Sequence, residues 1–344
     1  MKKVLLFAFL FPVLVFAQKN YSEESKQIFQ QGNSAYKAGQ TSEAFGFYKK
    51  TTEMEPSYAE AYVNMSSIRF EEKNYSDALK YARTAQNIEK VQYTVFSQLG
   101  KAYYMNDYYD SAAYFLERIA IFKPLSDEEN YFLAAAKVGA NDFVGARVAA
   151  DQLYAKDPNN SDYNVLMGNV NSGLGEYNKA IANYNKALEL RPESKYIYSN
   201  IASTYIKLKE SDKAVDYIDK GIAATEGREK VAFLILKGNY YKGLEDLDNA
   251  ESAFNEAFKI QPNNANIIVN QAAVLIDRED FESAIEKCNQ AISIDSESKE
   301  AFYNRGIAKE MTRMVTEACE DWEEAFILGS EKAEKFLNSA ACNE

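Results

Sequence analysis

The chain has 344 residues, with 39 basic and 51 acidic side chains, a formal net charge of −12 and no histidine. This acidic balance disfavours nucleic acid and anionic membrane surfaces as main partners. The lack of histidine excludes histidine-based acid–base catalysis and Ser–His or Cys–His nucleophile pairs. The sequence has no phosphate-binding glycine loop and no spaced cysteine pair, so we expect no enzyme activity, no cofactor and no bound metal.

Residues 1–17 have the features of a secretory signal peptide. Lys2 and Lys3 precede an apolar run over residues 4–16, and a small residue, Ala17, ends the segment. The run is too short for a comfortable transmembrane span, although a retained anchor is the alternative. We therefore expect an exported protein that is periplasmic, outer-membrane-associated or secreted, with no span in the mature chain. Residues 18–24 are predicted to be a short linker.

An alanine recurs along the rest of the chain at a nearly fixed period. The interval is 34 residues throughout, except for 36 residues between Ala214 and Ala250. These marker alanines are Ala44, Ala78, Ala112, Ala146, Ala180, Ala214, Ala250, Ala284 and Ala318. Twelve residues before each marker stands a small residue: Gly32, Ser66, Gly100, Ala134, Gly168, Ala202, Gly238, Ala272 and Gly306. Such a period indicates stacked repeats, in which small residues let two helices of a pair approach closely.

Each repeat also shows helical patterning. Ile181, Tyr184 and Leu188 recur at spacings of three and four, which is typical of one apolar stripe on a helix. Five prolines fall twelve residues after a marker, between the predicted repeats, where they end a helix rather than interrupt one.

The order of small residue, bulky aromatic, alanine, aromatic, alanine and proline resembles the tetratricopeptide repeat. The clearest copies lie at residues 161–192 and 231–262. The resemblance implies an all-α fold, a right-handed superhelix of about nine helix pairs over residues 25–330. Residues 331–344 are predicted to form a C-terminal capping helix and tail. The closing segment, from Arg305 to Gly329, resembles that of exported tetratricopeptide proteins of the Bacteroidetes group.

In such arrays the first helix of each pair lines a concave groove. Amides stand fourteen or eleven residues before many markers, and apolar or aromatic side chains lie beside them. Amides offer the donors and acceptors that a peptide backbone needs, although asparagine is also an ordinary soluble residue at such positions. The predicted peptide-binding residues are Gln30, Asn33, Asn64, Gln98, Asn169, Asn200, Asn239, Asn270 and Asn304, with Phe29, Tyr36, Tyr104, Tyr131, Tyr196 and Tyr303.

The three cysteines lie near the C-terminus. Cys288 takes a position that is aromatic in several other repeats, so we expect it to be buried. Cys319 and Cys342 flank the predicted turn at Gly329 at similar distances, which permits a disulfide in a helix hairpin. Two separate thiols are the alternative.

The sequence thus predicts an exported protein–protein interaction scaffold that binds a protein or an extended peptide in its groove, in an envelope assembly. One alternative is an accessory protein or enzyme that acts on envelope polysaccharide, and another is a purely structural spacer. The paired lysine–asparagine clamp of chaperone-binding relatives is not recognisable in any adjacent pair of repeats. The partner and the oligomeric state do not follow from the sequence.

Overall fold

The computed structural model describes residues 21–90, 92–338 and 342, and these residues form nineteen α-helices and no strand. The predicted signal peptide lies outside the described residues, and so does the linker before residue 21. In chain order, the structure begins with α1 Glu23–Lys37, α2 Thr41–Met54, α3 Ala59–Glu71, α4 Tyr75–Ile88, α5 Tyr93–Met105, α6 Tyr109–Ala120, α7 Asp127–Gly139 and α8 Phe143–Lys156. The chain continues with α9 Ser161–Gly173, α10 Tyr177–Leu190, α11 Ile197–Leu208, α12 Ser211–Ala224, α13 Gly227–Gly243, α14 Leu247–Ile260, α15 Ala265–Asp277, α16 Phe281–Ile294, α17 Lys299–Met311, α18 Val315–Ile327 and α19 Glu331–Leu337.

The chain divides into two compact units, residues 1–149 and residues 150–344. Helices α1 to α18 alternate as the first helix and the second helix of a pair, so odd numbers mark first helices. Within each unit successive helices pack together, as α3 packs on α4 and α13 on α14, and some first helices also touch the next first helix, as α3 touches α5 and α15 touches α17. The predicted all-α class and its array of helix pairs are confirmed. Among the described residues no helix is both long enough and apolar enough to cross a bilayer.

The small residues of each pair explain how closely its two helices approach. All nine marker alanines are completely buried. A Cβ atom added to Gly168 would lie 2.4 Å from the Tyr184 ring, which stands four residues after its marker. The same close approach is found between Gly32 and Tyr48, Gly100 and Leu116, Gly238 and Phe254, and Gly306 and Trp322. Because interiors are close-packed, a glycine on one helix makes room for a bulky side chain on the other.

Where the small residue is an alanine instead, the opposing position carries no aromatic ring. Ala202 corresponds to Ile218, and Ala272 corresponds to Cys288. In these repeats the Cβ atom of the alanine occupies part of the space that the Tyr184 ring fills opposite Gly168.

The turn inside each pair has one fixed conformation. The residue five positions before every marker has a positive φ. The value is between 60° and 64° at the seven non-glycine positions, and it is 76° at Gly39 and 77° at Gly175. At the first of the seven, Lys73 N donates to Phe70 O at 3.0 Å and Asn74 N donates to Arg69 O at 2.8 Å. These two bonds are the Schellman pattern, which satisfies the last carbonyls of the first helix. The hydrogen bonds hold the turn even where no glycine eases it.

The last pair is covered by α19. Trp322 is completely buried, its ring centroid lies 4.5 Å from that of Phe336, and its Nε1 donates to Tyr303 O at 3.3 Å. A disulfide joins Cys319 to Cys342, with Cα atoms 5.6 Å apart. Cys288 is a buried free thiol, and burial raises its pKa to about 12.

Candidate functional site

Three aromatic side chains from successive first helices meet on one face of unit 1. The Phe132 ring of α7 lies 5.9 Å from Phe70 of α3 and 5.4 Å from Tyr104 of α5, both nearly edge-to-face. All three rings are only partly buried. Edge-to-face contacts orient aromatic rings, so these side chains form a fixed apolar surface that still reaches solvent. We call Phe70, Tyr104 and Phe132 the aromatic cluster.

The second helices support this cluster from behind. Tyr75 lies 5.4 Å from Phe70, and Tyr109 lies 5.8 Å from Tyr104. A Cβ atom at Gly139 would lie 2.6 Å from the Tyr109 ring, so the glycine is what lets that ring lie against α7. The Tyr109 hydroxyl donates to Asp107 Oδ1 at 2.6 Å, and this bond raises the tyrosine pKa to about 12. Packing and hydrogen bonding therefore fix the cluster before any partner arrives.

One ion pair borders the cluster. Lys101 is 9 % exposed, and its Nζ lies 3.3 Å from both carboxylate oxygens of Glu128. The same Nζ lies 5.5 Å from the centre of the Phe70 ring. A cation this close to a ring face is attracted by the ring quadrupole, more strongly where water is excluded. The ion pair gives the apolar cluster a polar edge that can orient a peptide.

The predicted groove amides of unit 1 fall into two groups. Asn33 Oδ1 accepts hydrogen bonds from the Tyr48 hydroxyl at 2.9 Å and from Asn64 Nδ2 at 3.2 Å, and Gln30 Oε1 accepts from Asn33 Nδ2 at 3.4 Å. The structure thus brings three predicted amides together, but around a buried tyrosine hydroxyl. Gln98 is separate from them, and its Oε1 is buried without a partner among the described residues.

The predicted groove amides of unit 2 also divide into those that make side-chain hydrogen bonds and those that do not. Asn169 Oδ1 accepts from the Tyr184 hydroxyl at 2.8 Å, and Asn270 Nδ2 donates to Asn266 Oδ1 at 3.1 Å. Side-chain hydrogen bonds to other described residues are recorded for none of the remaining three, Asn200, Asn239 and Asn304. These three amides therefore keep both their donors and their acceptors available.

The predicted aromatic residues are spread over several environments. The Phe29 ring stacks on Tyr58 at 4.8 Å, the Tyr36 hydroxyl donates to Glu71, and Tyr131 contacts Phe132 at 5.9 Å. Tyr196 is the residue before α11 and is half exposed. Tyr303 packs edge-on against Phe336 of the capping helix at 5.7 Å. Of the six predicted aromatic residues, Tyr104 therefore belongs to the aromatic cluster and Tyr131 contacts it.

None of Lys101, Glu128 and Phe132 was predicted from the sequence to be a site residue. A signal for the cluster was present, because Phe70 and Tyr104 both stand eight residues before their markers. Phe132 stands fourteen residues before its marker, at a position where Asn64 and Gln98 are amides in the two preceding repeats. Phe132 thus replaces an amide at this repeat position and adds a third ring to the face.

Comparison with known proteins gives the repeat type. Tetratricopeptide repeat models match residues 29–90, 168–209, 196–226 and 231–264. A DnaJ protein P58IPK homolog of Arabidopsis thaliana is 24 % identical over 91 % of this chain and 62 % of its own length. Stress-induced-phosphoprotein 1 of Caenorhabditis elegans is 26 % identical over 68 % of this chain and 72 % of its own length.

A solved tetratricopeptide repeat protein from Parabacteroides merdae has the same fold, with a TM-score of 0.57 and 14 % identity over 74 % of this chain and 100 % of that one. The chain spans less than two thirds of the length of the P58IPK-type relatives that it matches. Because tetratricopeptide repeat models match several of its segments, the chain contains tetratricopeptide repeats, which are modules that bind proteins or peptides.

Proposed function

We propose that this protein is an exported, non-catalytic scaffold that binds an extended segment of a partner protein on the first-helix face of unit 1. The observation that carries the proposal is the aromatic cluster, because its three rings come from three successive first helices and remain partly exposed. Interfaces are enriched in aromatic side chains, and rings held in place before binding lose little entropy when a partner docks.

The chemistry of the surface indicates what it would bind. The rings of Phe70, Tyr104 and Phe132 offer a place for an apolar side chain of the partner. Lys101 and Glu128 stand beside them and supply a donor and an acceptor for the partner's backbone or for a polar neighbour of that side chain. A peptide with a single apolar anchor between polar residues fits this arrangement.

Export to an envelope assembly is part of the same proposal. The apolar run after Lys2 and Lys3 supports export, and so does the disulfide between Cys319 and Cys342, since disulfides persist in oxidising compartments. Sequencing of the N-terminus of the protein recovered from cell fractions tests this part. A chain that begins at Gln18 in an extracytoplasmic fraction supports export, and a chain that retains Met1 in the cytoplasm contradicts it.

Site-specific photo-crosslinking tests the binding surface. A benzoylphenylalanine replaces Tyr104 in one variant and Tyr114 in the other, which is 53 % exposed on α6 and outside the cluster. We expect partner adducts in the native envelope from position 104 and not from position 114. Adducts from position 114 alone would place the partner on the second-helix side. Tyr104→Ala should then weaken the captured partner at least tenfold, as loss of a central aromatic anchor usually does.

A further inference from the structure

The irregular interval of 36 residues ends at Ala250, and the first helix of that repeat, α13, is longer than the other first helices of unit 2. Helix α13 begins at Gly227, 23 residues before Ala250, whereas α9, α15 and α17 begin 19 residues before their markers. Four residues, 227–230, therefore extend α13 beyond the level at which those first helices start. At 1.5 Å per residue this extension is about 6 Å long. Two of its residues, Gly227 and Arg228, line one side of a groove.

The floor of this groove is aliphatic. Ala232 and Ile235 of α13, Ile260 at the end of α14 and Ile294 at the end of α16 line a space of about 1020 Å³. Ala232 is exposed, and Ile294 is 40 % exposed at the end of its helix. The volume is similar to that of known ligand sites, which run from about 300 to 1,000 Å³. No aromatic residue lines the groove.

The polar rim carries one charge of each sign, from Arg228 and Asp295. No hydrogen bond or ion pair is recorded for the Arg228 guanidinium within the described part of the chain. The other charged side chain of the rim, Asp295, accepts a hydrogen bond from Glu297 N at 3.1 Å. An anionic group is therefore the complement that Arg228 lacks.

The amides of the rim offer neutral donors beside that charge. Asn264 is fully used, because its Oδ1 caps α15 and its Nδ2 donates to Gln261 Oε1 at 2.9 Å. Asn266 accepts from Asn270 through its Oδ1, and its Nδ2 donates to no residue in the described ranges. The Asn263 side chain likewise makes no hydrogen bond to another described residue. These amide groups can donate to the carbonyls of an extended backbone.

We propose that this groove is a second binding site, which takes an extended peptide segment with an acidic side chain next to aliphatic residues. The acidic side chain pairs with Arg228, whose guanidinium can hold a carboxylate through two parallel hydrogen bonds. The aliphatic side chains lie on Ile235, Ile260 and Ile294, and Asn263 and Asn266 donate to backbone carbonyls. This site lies within unit 2 and shares no residue with the aromatic cluster.

Fluorescence anisotropy with a labelled synthetic peptide tests the site on the full mature chain. The probe has a core of Asp-Ile-Val between glycines, with blocked ends so that its side chain carries the only carboxylate. We expect saturable binding that Arg228→Gln weakens about tenfold, a modest value for a charge-assisted pair at an open rim. Lys259→Gln makes the same change of charge next to Ile260 but outside the groove, and it should leave the affinity within about twofold.

A charge reversal separates pairing from loss of fold. Arg228→Glu should abolish binding of the aspartate peptide and allow binding of the same peptide with lysine in place of aspartate. Two results overturn the proposal: no binding of the aspartate peptide at about 1 mM, or an unchanged affinity in a folded Arg228→Gln variant. Tyr104→Ala should not change binding of this probe, so the failure of one site is distinguishable from the failure of the other.

Discussion

Two regions of the chain, residues 59–139 and residues 227–327, differ at one equivalent position of their first helices, where one region has apolar side chains and the other polar ones. The position is the one just before the small residue of each first helix, and we call it the seam position. In the earlier region it carries Met65, Leu99 and Leu133, which are all buried. In the later region it carries Lys237, Gln271 and Arg305. One backbone arrangement therefore tolerates both an apolar seam and a polar one.

The polar seam is tolerated because its members have partners. Lys237 Nζ bonds to Asp219 at 2.7 Å, Gln271 Nε2 donates to Asn255 at 2.7 Å, and Arg305 Nη1 donates to Asn289 at 2.6 Å. Each of these bonds reaches the second helix of the preceding pair. Polar groups that are partly or fully withdrawn from water need such partners, so the polar seam depends on pairs of residues where the apolar seam depends on shape.

The largest expected effect comes from breaking the last link of the polar seam. Asp321 is 4 % exposed and accepts from Arg305 Nη2 at 2.6 Å and from Lys309 Nζ at 2.8 Å. Asp321→Ala leaves two poorly solvated cations unpaired, so we expect a loss of about 3–5 kcal/mol in the free energy of unfolding. Urea unfolding followed by the fluorescence of Trp322, the only tryptophan of the chain, measures it.

The apolar seam supplies the contrast. Leu99→Ala should cost about 2–5 kcal/mol through the cavity it creates. The triple variant Arg305→Met, Lys309→Met and Asp321→Leu should recover most of the loss of Asp321→Ala, because it removes the unpaired charges together with their partner. If the triple variant unfolds as easily as Asp321→Ala, the polar seam is not held by charge pairing.

The disulfide adds a covalent constraint at the end of the polar seam. Cys342→Ser opens a loop of 23 residues between the two cysteines, and we expect a loss of about 2–4 kcal/mol in the last pair. Trp322 fluorescence should then change at a lower urea concentration than the helical circular dichroism. The wild type in reducing buffer should behave as the variant does. Thiol titration of the denatured, unreduced protein should find one thiol, and three would rule the bridge out.

The sequence predicted the framework better than the site. All nine marker alanines proved fully buried because a contact between the two helices of a pair recurs in every repeat. The role of each amide could not be predicted, since it depends on the partner helix: Asn169 meets the hydroxyl of Tyr184, whereas Asn239 stands opposite Phe254 and stays exposed. The Lys101–Glu128 pair joins residues of two different first helices. A repeat alignment shows which positions are equivalent, but it does not show which side chains of neighbouring repeats are in contact.

A smaller effect tests the contact between the small residue of a first helix and the side chain that faces it. Gly168→Ala would place a Cβ atom 2.4 Å from the Tyr184 ring, so we expect a loss of about 1–3 kcal/mol in the free energy of unfolding. Gly243→Ala is the matched control, because no neighbour lies within 4 Å of its Cβ position, and it should be neutral or slightly stabilising.

The chain itself supplies the compensating change. Since alanine faces isoleucine at Ala202 and Ile218, the cost of Gly168→Ala should vanish when it is measured in a Tyr184→Ile background. A double-mutant cycle of thermal unfolding gives this coupling. A cost that is the same in both backgrounds would show that the two residues do not share one packing site.

The smallest expected effect concerns the tyrosine hydroxyls of the second helices. Tyr48 and Tyr184 donate to Asn33 and Asn169, fifteen residues earlier, and burial raises the pKa of both tyrosines. Tyr184→Phe should therefore cost about 0.5–1.5 kcal/mol.

The reverse change tests whether the acceptor is already in place. Phe254 occupies the same repeat position, and Asn239 stands fifteen residues before it with no bond recorded to any described residue. Phe254→Tyr places a hydroxyl within reach of that amide, so it should raise the free energy of unfolding by up to about 1 kcal/mol. In an Asn239→Ala background the gain should be lost, because the hydroxyl then has no acceptor. Equal gains in both backgrounds would show that water satisfies the hydroxyl, and the asparagine would then be free for the groove role predicted from the sequence.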